Sequence, residues 1–174
     1  MKIRIIGACG SGKSTLAREL SLKYNIAFYE MDNLIWDRSA ENRRYPEEVR
    51  DSSLQAIVSS DAWIIEGAQL KPWTFPTILE ADLIFVLHPH VLVRDYRIIK
   101  RFLLSRTGLQ EWNYKQSFSN LCKMMVEWNH QYDVQDVIEM TSKHGKDVVV
   151  ITNKRQAVKR INLTYNMQQK CFKC

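Results

Sequence analysis

The sequence predicts an α/β fold, a five-stranded parallel sheet with helices on both faces. Short aliphatic runs recur along the chain, and segments with helical spacing of apolar residues separate them. The first run leads through a glycine-rich loop into a helix, as in a strand–helix–strand unit. A length of 174 residues suits one domain. We assign this domain to residues 1–163 and a polar C-terminal tail to residues 164–174.

The predicted strands are short and mostly apolar, and they cover residues 2–6, 26–31, 62–66, 81–87 and 147–152. Lys2 and Arg4 are unusual in a central parallel strand, which is normally apolar on both faces. Because both lie at the start of the first strand, we expect them to reach solvent.

The predicted helices alternate with these strands, and they cover residues 13–24, 46–60, 92–107, 118–125 and 154–162. Residues 32–45 are predicted to be irregular. Val134 to Thr141 continue the helix at 118–125 or form a separate one, and Gly145 ends that run. On the helix at 92–107, an apolar row is predicted to face the core, and Gly108 is predicted to end the helix. This row consists of Leu92, Tyr96, Ile99 and Leu103.

The segment after the first strand fits the Walker A pattern G-x-x-x-x-G-K-[ST] at every fixed position. In such a loop, successive backbone N–H groups point at phosphate oxygens, and the following helix presents the positive end of its dipole. Lys13 is expected to reach the β- and γ-phosphates, and the Ser14 hydroxyl to ligate Mg²⁺. The predicted ATP and Mg²⁺ site consists of Gly7, Cys9, Gly10, Ser11, Gly12, Lys13, Ser14 and Thr15.

Two acids lie at the ends of predicted strands: Asp32 directly follows the second strand, and Glu66 ends the third. Ligands of open parallel sheets bind at the carboxyl ends of the strands. Glu66 is therefore expected to hold Mg²⁺ through water or to accept the proton of an attacking hydroxyl. The same two roles are open to Asp32. A helix cap or a simple loop acid remains the alternative for each.

Arginines recur at helical spacing opposite the apolar row of the helix at 92–107. One interpretation is a small lid, at about residues 94–114, whose Arg97, Arg101 and Arg106 stabilise a transferring phosphoryl group. The same residues could contact a nucleic-acid backbone, or they could form a solvated helix face. The sequence alone leaves these three open.

Composition and charge restrict the functional classes. The net charge of +6 admits nucleic acid as a partner, but a phosphate pocket also needs cations. No apolar run approaches the 18 or so residues of a membrane span, so no membrane partner is predicted. The four cysteines form no regular framework, which predicts a reducing, cytoplasmic compartment. Cys171 and Cys174 form a single C-x-x-C pair without a second ligand pair, and we assign it no metal or redox role.

Taken together, these features give the chain a resemblance to a family. It resembles the small bacterial kinase-like proteins called DNA topology modulation proteins, a branch of the adenylate-kinase-related P-loop group. The resemblance covers most of the chain. The segments that carry it are Gly7 to Ser14, Phe28 to Asp32 with Trp36, Trp63 to Gly67, Lys71 to Trp73, Leu87 to His90, Ile98 to Phe102, Arg106 to Gly108 and Trp112 to Tyr114.

The resemblance implies a nucleoside-monophosphate-kinase-like P-loop fold with a small helical lid. Glu66 and Gly67 stand where adenylate kinases have an Asp-Gly pair before a substrate-binding arginine. Here no arginine follows, and Lys71 is the nearest cation in the sequence. We therefore assign Lys71 to substrate binding. A glutamate at this place resembles the one in P-loop kinases whose acceptor is a hydroxyl that needs a general base. Asp32 likewise resembles the acceptor-binding acids of small-molecule kinases, so the resemblance implies that it binds the acceptor. Arg43 and Arg44 either bind an anionic acceptor or are simply charged residues of a loop.

The sequence therefore predicts an ATP-dependent phosphotransferase that moves the γ-phosphoryl group of Mg-ATP to a small acceptor. This acceptor is a nucleotide, a nucleoside or another hydroxyl compound. The rival is a nucleotide-dependent DNA-binding protein whose basic helix faces the phosphate backbone. A plain NTPase with water as the acceptor is the third hypothesis.

Overall fold

The computed structural model describes residues 1–39, 43–107 and 118–171. Five parallel strands form one sheet in the order β2-β3-β1-β4-β5, so the α/β class and the parallel sheet are confirmed. The strands are β1 (Lys2–Ile6), β2 (Phe28–Glu30), β3 (Trp63–Glu66), β4 (Leu83–Leu87) and β5 (Val149–Ile151).

Eight α-helices are described, together with a 3₁₀ turn at Pro72–Thr74 and a π-helical turn at Val126–His130. The helices are α1 (Lys13–Tyr24), α2 (Met31–Ile35), α3 (Glu47–Val58), α4 (Pro76–Leu79), α5 (Val91–Thr107), α6 (Phe118–Met125), α7 (Val134–Lys143) and α8 (Lys154–Cys171). No helix in these described ranges is long and apolar enough to cross a bilayer.

Two apolar cores lie on opposite faces of the sheet, because alternate strand residues point to opposite sides. Helices α1 and α8 cover one face with Leu16, Leu20 and Ile161. Helices α3, α4 and α7 cover the other face, where the buried side chains include Leu54 and Val137. Helices therefore pack on both faces, as predicted.

Several predicted boundaries differ from the structure. Residues 32–35 belong to helix α2 rather than to an irregular segment, since Met31 is fully buried and starts the helix directly after β2. The alternative left open for Val134 is resolved, because α7 is a separate helix after the π-helical turn. Helix α8 continues to Cys171, through residues assigned to the tail.

The predicted orientation of α5 is wrong. Leu92 and Tyr96, in the row expected to be core, are 67% and 63% exposed. The inward face instead carries Arg94, Ile98 and Phe102, which are 4%, 0% and 7% exposed. Because these three residues also recur every fourth position, they form an equally regular helical face. Ile98 and Phe102 pack in a third core with residues of α6. Gly108 and the rest of the predicted lid to residue 114 lie outside the described residues.

Candidate functional site

The glycine loop joins the central strand β1 to helix α1. Gly10 and Gly12 adopt φ values of 74° and 100°, a left-handed backbone that residues with a Cβ rarely adopt. Helix α1 begins at Lys13, and its first loop-to-helix hydrogen bond runs from the Leu16 N–H to the Gly12 carbonyl at 3.0 Å. The earlier N–H groups of a helix have no intrahelical acceptor, so this end of α1 favours an anion.

Side chains at the start of α1 contact the loop and a neighbouring strand. Lys13 Nζ donates to the Ala8 carbonyl at 3.0 Å. The Ser14 hydroxyl donates to Glu66 Oε1 at 2.7 Å. The predicted metal-ligating hydroxyl and the predicted catalytic carboxylate are therefore in direct contact beside the loop.

Glu66 reaches this place because β3 is a direct neighbour of β1. The two strands pair in parallel with Ile5 opposite Glu66, so Glu66 lies at the carboxyl edge of the sheet. Its side chain is 5% exposed. Gly67 allows α2 to approach closely, because a Cβ at this position would lie 2.9 Å from the Cβ of Met31.

Arg4 is a residue of the site that the sequence analysis misplaced. It is 0% exposed rather than solvent-exposed. Its Nη2 donates to the Gly67 carbonyl at 3.0 Å and to the Gln69 carbonyl at 3.2 Å. Burial lowers the pKa of Arg4 to about 10, and the charge of Glu66 acts in the opposite direction. A buried arginine from β1 thus fixes the backbone that follows Glu66.

Two further acids, Glu30 and Asp32, lie at the end of the neighbouring strand β2 and at the start of α2. Glu30 is opposite Glu66 in the β2–β3 register. Burial, and then the charge of Glu66, raise the pKa of Glu30. Asp32, on α2, accepts a hydrogen bond from Gln69 Nε2 at 2.7 Å. A cavity of about 200 Å³ opens at Glu30 and is lined by Phe28, Tyr29, Glu30, Asn33 and Leu34.

The three arginines assigned to the lid have different surroundings. Arg97 Nη1 donates to the carbonyls of Ser11 at 2.7 Å and Gly10 at 3.3 Å. Arg101 Nη2 lies 3.4 Å from Cys9 Sγ. Arg97 and Arg101 therefore contact the glycine loop, whereas the Arg106 guanidinium stacks on the Phe102 ring at 4.5 Å.

The basic residues assigned to the acceptor are partly engaged elsewhere. Arg43 forms an ion pair with Asp37, which is buried. Hydrogen bonds from the Ser39 hydroxyl and the Ser39 backbone N–H lower the pKa of Asp37, and Arg43 acts in the same direction. Arg44 stacks on Trp36 at 4.5 Å. Lys71 is exposed at the start of the 3₁₀ turn.

No cluster of three or more histidines, cysteines or acids suited to a metal occurs within the described residues. The oxygen pair of Ser14 and Glu66 still suits Mg²⁺, which takes few protein ligands and completes its shell with water and phosphate oxygens. Cys174 lies outside the described residues, so the C-terminal pair is not tested.

Neither a family model nor a curated protein sequence matches the chain. Among solved structures, the unliganded sugar kinase of a Janibacter species is similar with a TM-score of 0.49 and 14% identity. The similarity covers 92% of this chain and 91% of that chain. A similarity of this size carries no conclusion about the activity of this chain, so the family resemblance stays a prediction.

Proposed function

We propose that this protein is an ATP-dependent phosphotransferase of the P-loop kinase type, acting on a small hydroxyl acceptor. The observation that carries the proposal is the 2.7 Å hydrogen bond between the Ser14 hydroxyl and Glu66. It places a hydroxyl at the helix N-terminus next to a buried carboxylate, beside a loop that suits phosphate binding. Such an arrangement suits phosphoryl transfer, in which positioning and charge provide most of the catalysis.

Each group of residues has its own role in the proposed phosphoryl transfer. The loop N–H groups and Lys13 bind the phosphates of ATP, and Ser14 holds Mg²⁺ with Glu66 nearby. When bound, Mg²⁺ neutralises charge on the β- and γ-phosphates. The acceptor oxygen attacks the γ-phosphorus, the bond to the bridging oxygen breaks, and ADP leaves. Glu66 accepts the proton of the acceptor hydroxyl.

Arg97 and Arg101 are the lid arginines best supported for a role in this reaction, because both contact the loop. Their positive charge would stabilise the transferring phosphoryl group. Arg106 stacks on Phe102, so its role remains a prediction. The nucleic-acid alternative gains no support from this helix, since Arg94 is buried and the exposed Arg97 donates to a carbonyl of the glycine loop.

The decisive experiment measures transfer of label from γ-labelled Mg-ATP into a pool of nucleosides, nucleoside monophosphates and small hydroxyl metabolites. We expect Lys13→Ala to lose ATP binding in calorimetry. We expect Glu66→Gln to bind ATP but to transfer about 100- to 10,000-fold more slowly. Lys23→Ala, on an exposed residue of the same helix, and Glu139→Gln, on the exposed side of α7, are the matched controls.

Two results would contradict the proposal. The first is ATP binding that is unchanged in Lys13→Ala, and the second is full transfer in Glu66→Gln. Label released only as inorganic phosphate would instead establish a plain NTPase. ATP binding without turnover, together with retention of duplex DNA at low salt, would favour the DNA-binding alternative.

A further inference from the structure

The outward face of α5 carries a row of large apolar side chains, which we call the outer row. Its four members are Leu92, Tyr96, Ile99 and Leu103, which are 67%, 63%, 39% and 57% exposed. Val93 lies beside them and is 41% exposed. Single exposed apolar residues are ordinary, but a contiguous patch marks a surface that binds a partner. Among the helices whose side chains the structure describes, only α5 has such a row.

The outer row cannot turn inward, because the opposite face of α5 is already packed. Ile98 and Phe102 belong to the core shared with α6. Beside this face, Arg97 Nη1 donates to the Ser11 carbonyl of the glycine loop at 2.7 Å. A helix with apolar residues on two faces is normally covered on both. Within the described residues only one face of α5 is covered, so the outer row needs a second cover.

The size of the outer row indicates which cover is sufficient. A fully exposed large apolar residue presents roughly 200 Å², so the exposed fractions of the outer row and Val93 correspond to roughly 500 Å² on one chain. The largest apolar patch of an ordinary monomer is about 300–600 Å², so this patch lies near the upper end. Two such faces packed together remove roughly 1,000 Å² from water, which is about the least that a specific protein interface buries. A second copy of the chain is therefore a sufficient cover.

The spacing of the outer row suits pairing with itself. Its members follow one another at intervals of four, three and four residues, which is the spacing of the contact positions in paired helices. This spacing is the same in both directions along the helix. A twofold axis through the middle of the row therefore places Leu92 of one copy opposite Leu103 of the other, and Tyr96 opposite Ile99.

Charge favours the antiparallel arrangement over the parallel one. The next position of the outer row, three residues after Leu103, is the exposed Arg106. A parallel pair would bring the two Arg106 side chains together, and like charges in contact destabilise an interface. An antiparallel pair places them at opposite ends, and it also sets the two helix dipoles in opposite directions.

We propose that the outer row binds the outer row of a second copy of this chain, which forms a twofold-symmetric dimer with antiparallel α5 helices. The interface uses the face of α5 that points away from the glycine loop. Because its area is at the lower limit for a specific interface, the dissociation constant is about 1–100 μM. The dimer goes beyond the proposed phosphotransferase function and does not depend on it.

Sedimentation velocity of the full chain tests the proposal. We expect the average sedimentation coefficient to rise from that of a monomer to that of a dimer between about 1 and about 300 μM protein. Tyr96→Glu places a carboxylate in the interface and is expected to raise the dissociation constant at least about tenfold. Leu22→Glu is the matched control, because Leu22 is an 81% exposed leucine on α1, and it is expected to leave the dissociation constant unchanged. Circular dichroism verifies that both variants are folded.

An equimolar mixture of two variants tests the antiparallel geometry. Because residue 96 of one copy lies opposite residue 99 of the other, Tyr96→Glu mixed with Ile99→Lys places opposite charges in contact. The mixture is expected to associate at least about tenfold more tightly than either variant alone.

Three results would overturn the proposal. The first is a chain that stays monomeric at every concentration. The second is association of Tyr96→Glu that equals that of Leu22→Glu, because the interface would then lie elsewhere on the molecule. The third is a mixture that associates no better than its components, because residues 96 and 99 would then not be opposite each other.

Discussion

Replacing Gly10 by alanine tests whether α5 packs against the glycine loop. Gly10 has a φ of 74°, and a Cβ there would lie 2.6 Å from the Arg94 carbonyl oxygen and 2.9 Å from Ile98 Cγ1. The left-handed backbone costs about 1–2 kcal/mol once a Cβ is present. Overlap with a helix carbonyl that cannot rotate away adds about 1–3 kcal/mol. We therefore expect Gly10→Ala to lower the free energy of unfolding by about 2–5 kcal/mol.

Gly145 provides the matched control, because its φ of 68° is similar but no heavy atom lies within 4 Å of the position of its Cβ. Gly145→Ala should therefore lose only the backbone contribution, about 1–2 kcal/mol. Urea unfolding followed by circular dichroism measures both variants. With an m-value of about 2 kcal/mol/M, the two midpoints should differ by about 0.5–1.5 M.

Equal midpoints for the two variants would refute this reasoning, because the contact between Gly10 and α5 would then contribute nothing in solution. A larger loss in Gly145→Ala than in Gly10→Ala would refute it as well. Either result would also remove the support that loop contacts give to a role for Arg97 and Arg101.

Three further predictions concern the buried Arg4 and the partly buried His88 and Glu30. Arg4→Met should lower the free energy of unfolding by about 2–4 kcal/mol in urea titrations, because four backbone carbonyls lose a donor, and an unchanged midpoint would contradict this. Burial, together with the charge of Arg94, lowers the pKa of His88 below 6.5. The unfolded chain then binds more protons below that pH, so the stability contribution of His88 is complete above pH 6.5 and is lost as the pH falls. His88→Asn should reduce the fall in urea midpoint between about pH 7.5 and about pH 5.5, and an equal fall would exclude His88 as its source. The pKa of Glu30 is raised, so the contribution of Glu30 is present below its ordinary value of 4.5 and is lost as the pH rises through the folded value. Glu30→Gln should accordingly raise the urea midpoint at neutral pH but not near about pH 4, and a lower midpoint at neutral pH would show that this carboxylate is stabilising.

The glycine loop and the strands could be predicted because their signals are local. The positions of Gly12 and Lys13 follow from a spacing that only a few backbone conformations satisfy. The ends of β1 and β3 could also be predicted, because an apolar strand ends where polar residues begin to contact solvent or a ligand. The contact between Ser14 and Glu66 could be anticipated only in outline, because the sequence does not show that β3 is adjacent to β1.

The errors at Arg4 and α5 arise from tertiary context. A charged residue at the start of a strand is normally solvated, but the side chain of Arg4 reaches backbone carbonyls beyond β3 that belong to a distant part of the sequence. On α5, the row of Leu92 and Tyr96 and the row of Arg94 and Ile98 have the same helical periodicity. Which row faces inward depends on α6 and the loop, and periodicity alone does not contain that information.

The strand order has a consequence for how the molecule opens. β1 is the central strand and pairs with neighbours along both edges, whereas β2 is a three-residue edge strand. Local unfolding starts where few backbone hydrogen bonds must break, and central strands exchange their amide hydrogens only in larger openings. The amides of β1 should therefore exchange more slowly than those of β2. The glycine loop therefore follows β1, the strand expected to open last. Glu30 and Asp32 lie at the end of β2, one of the strands expected to open first.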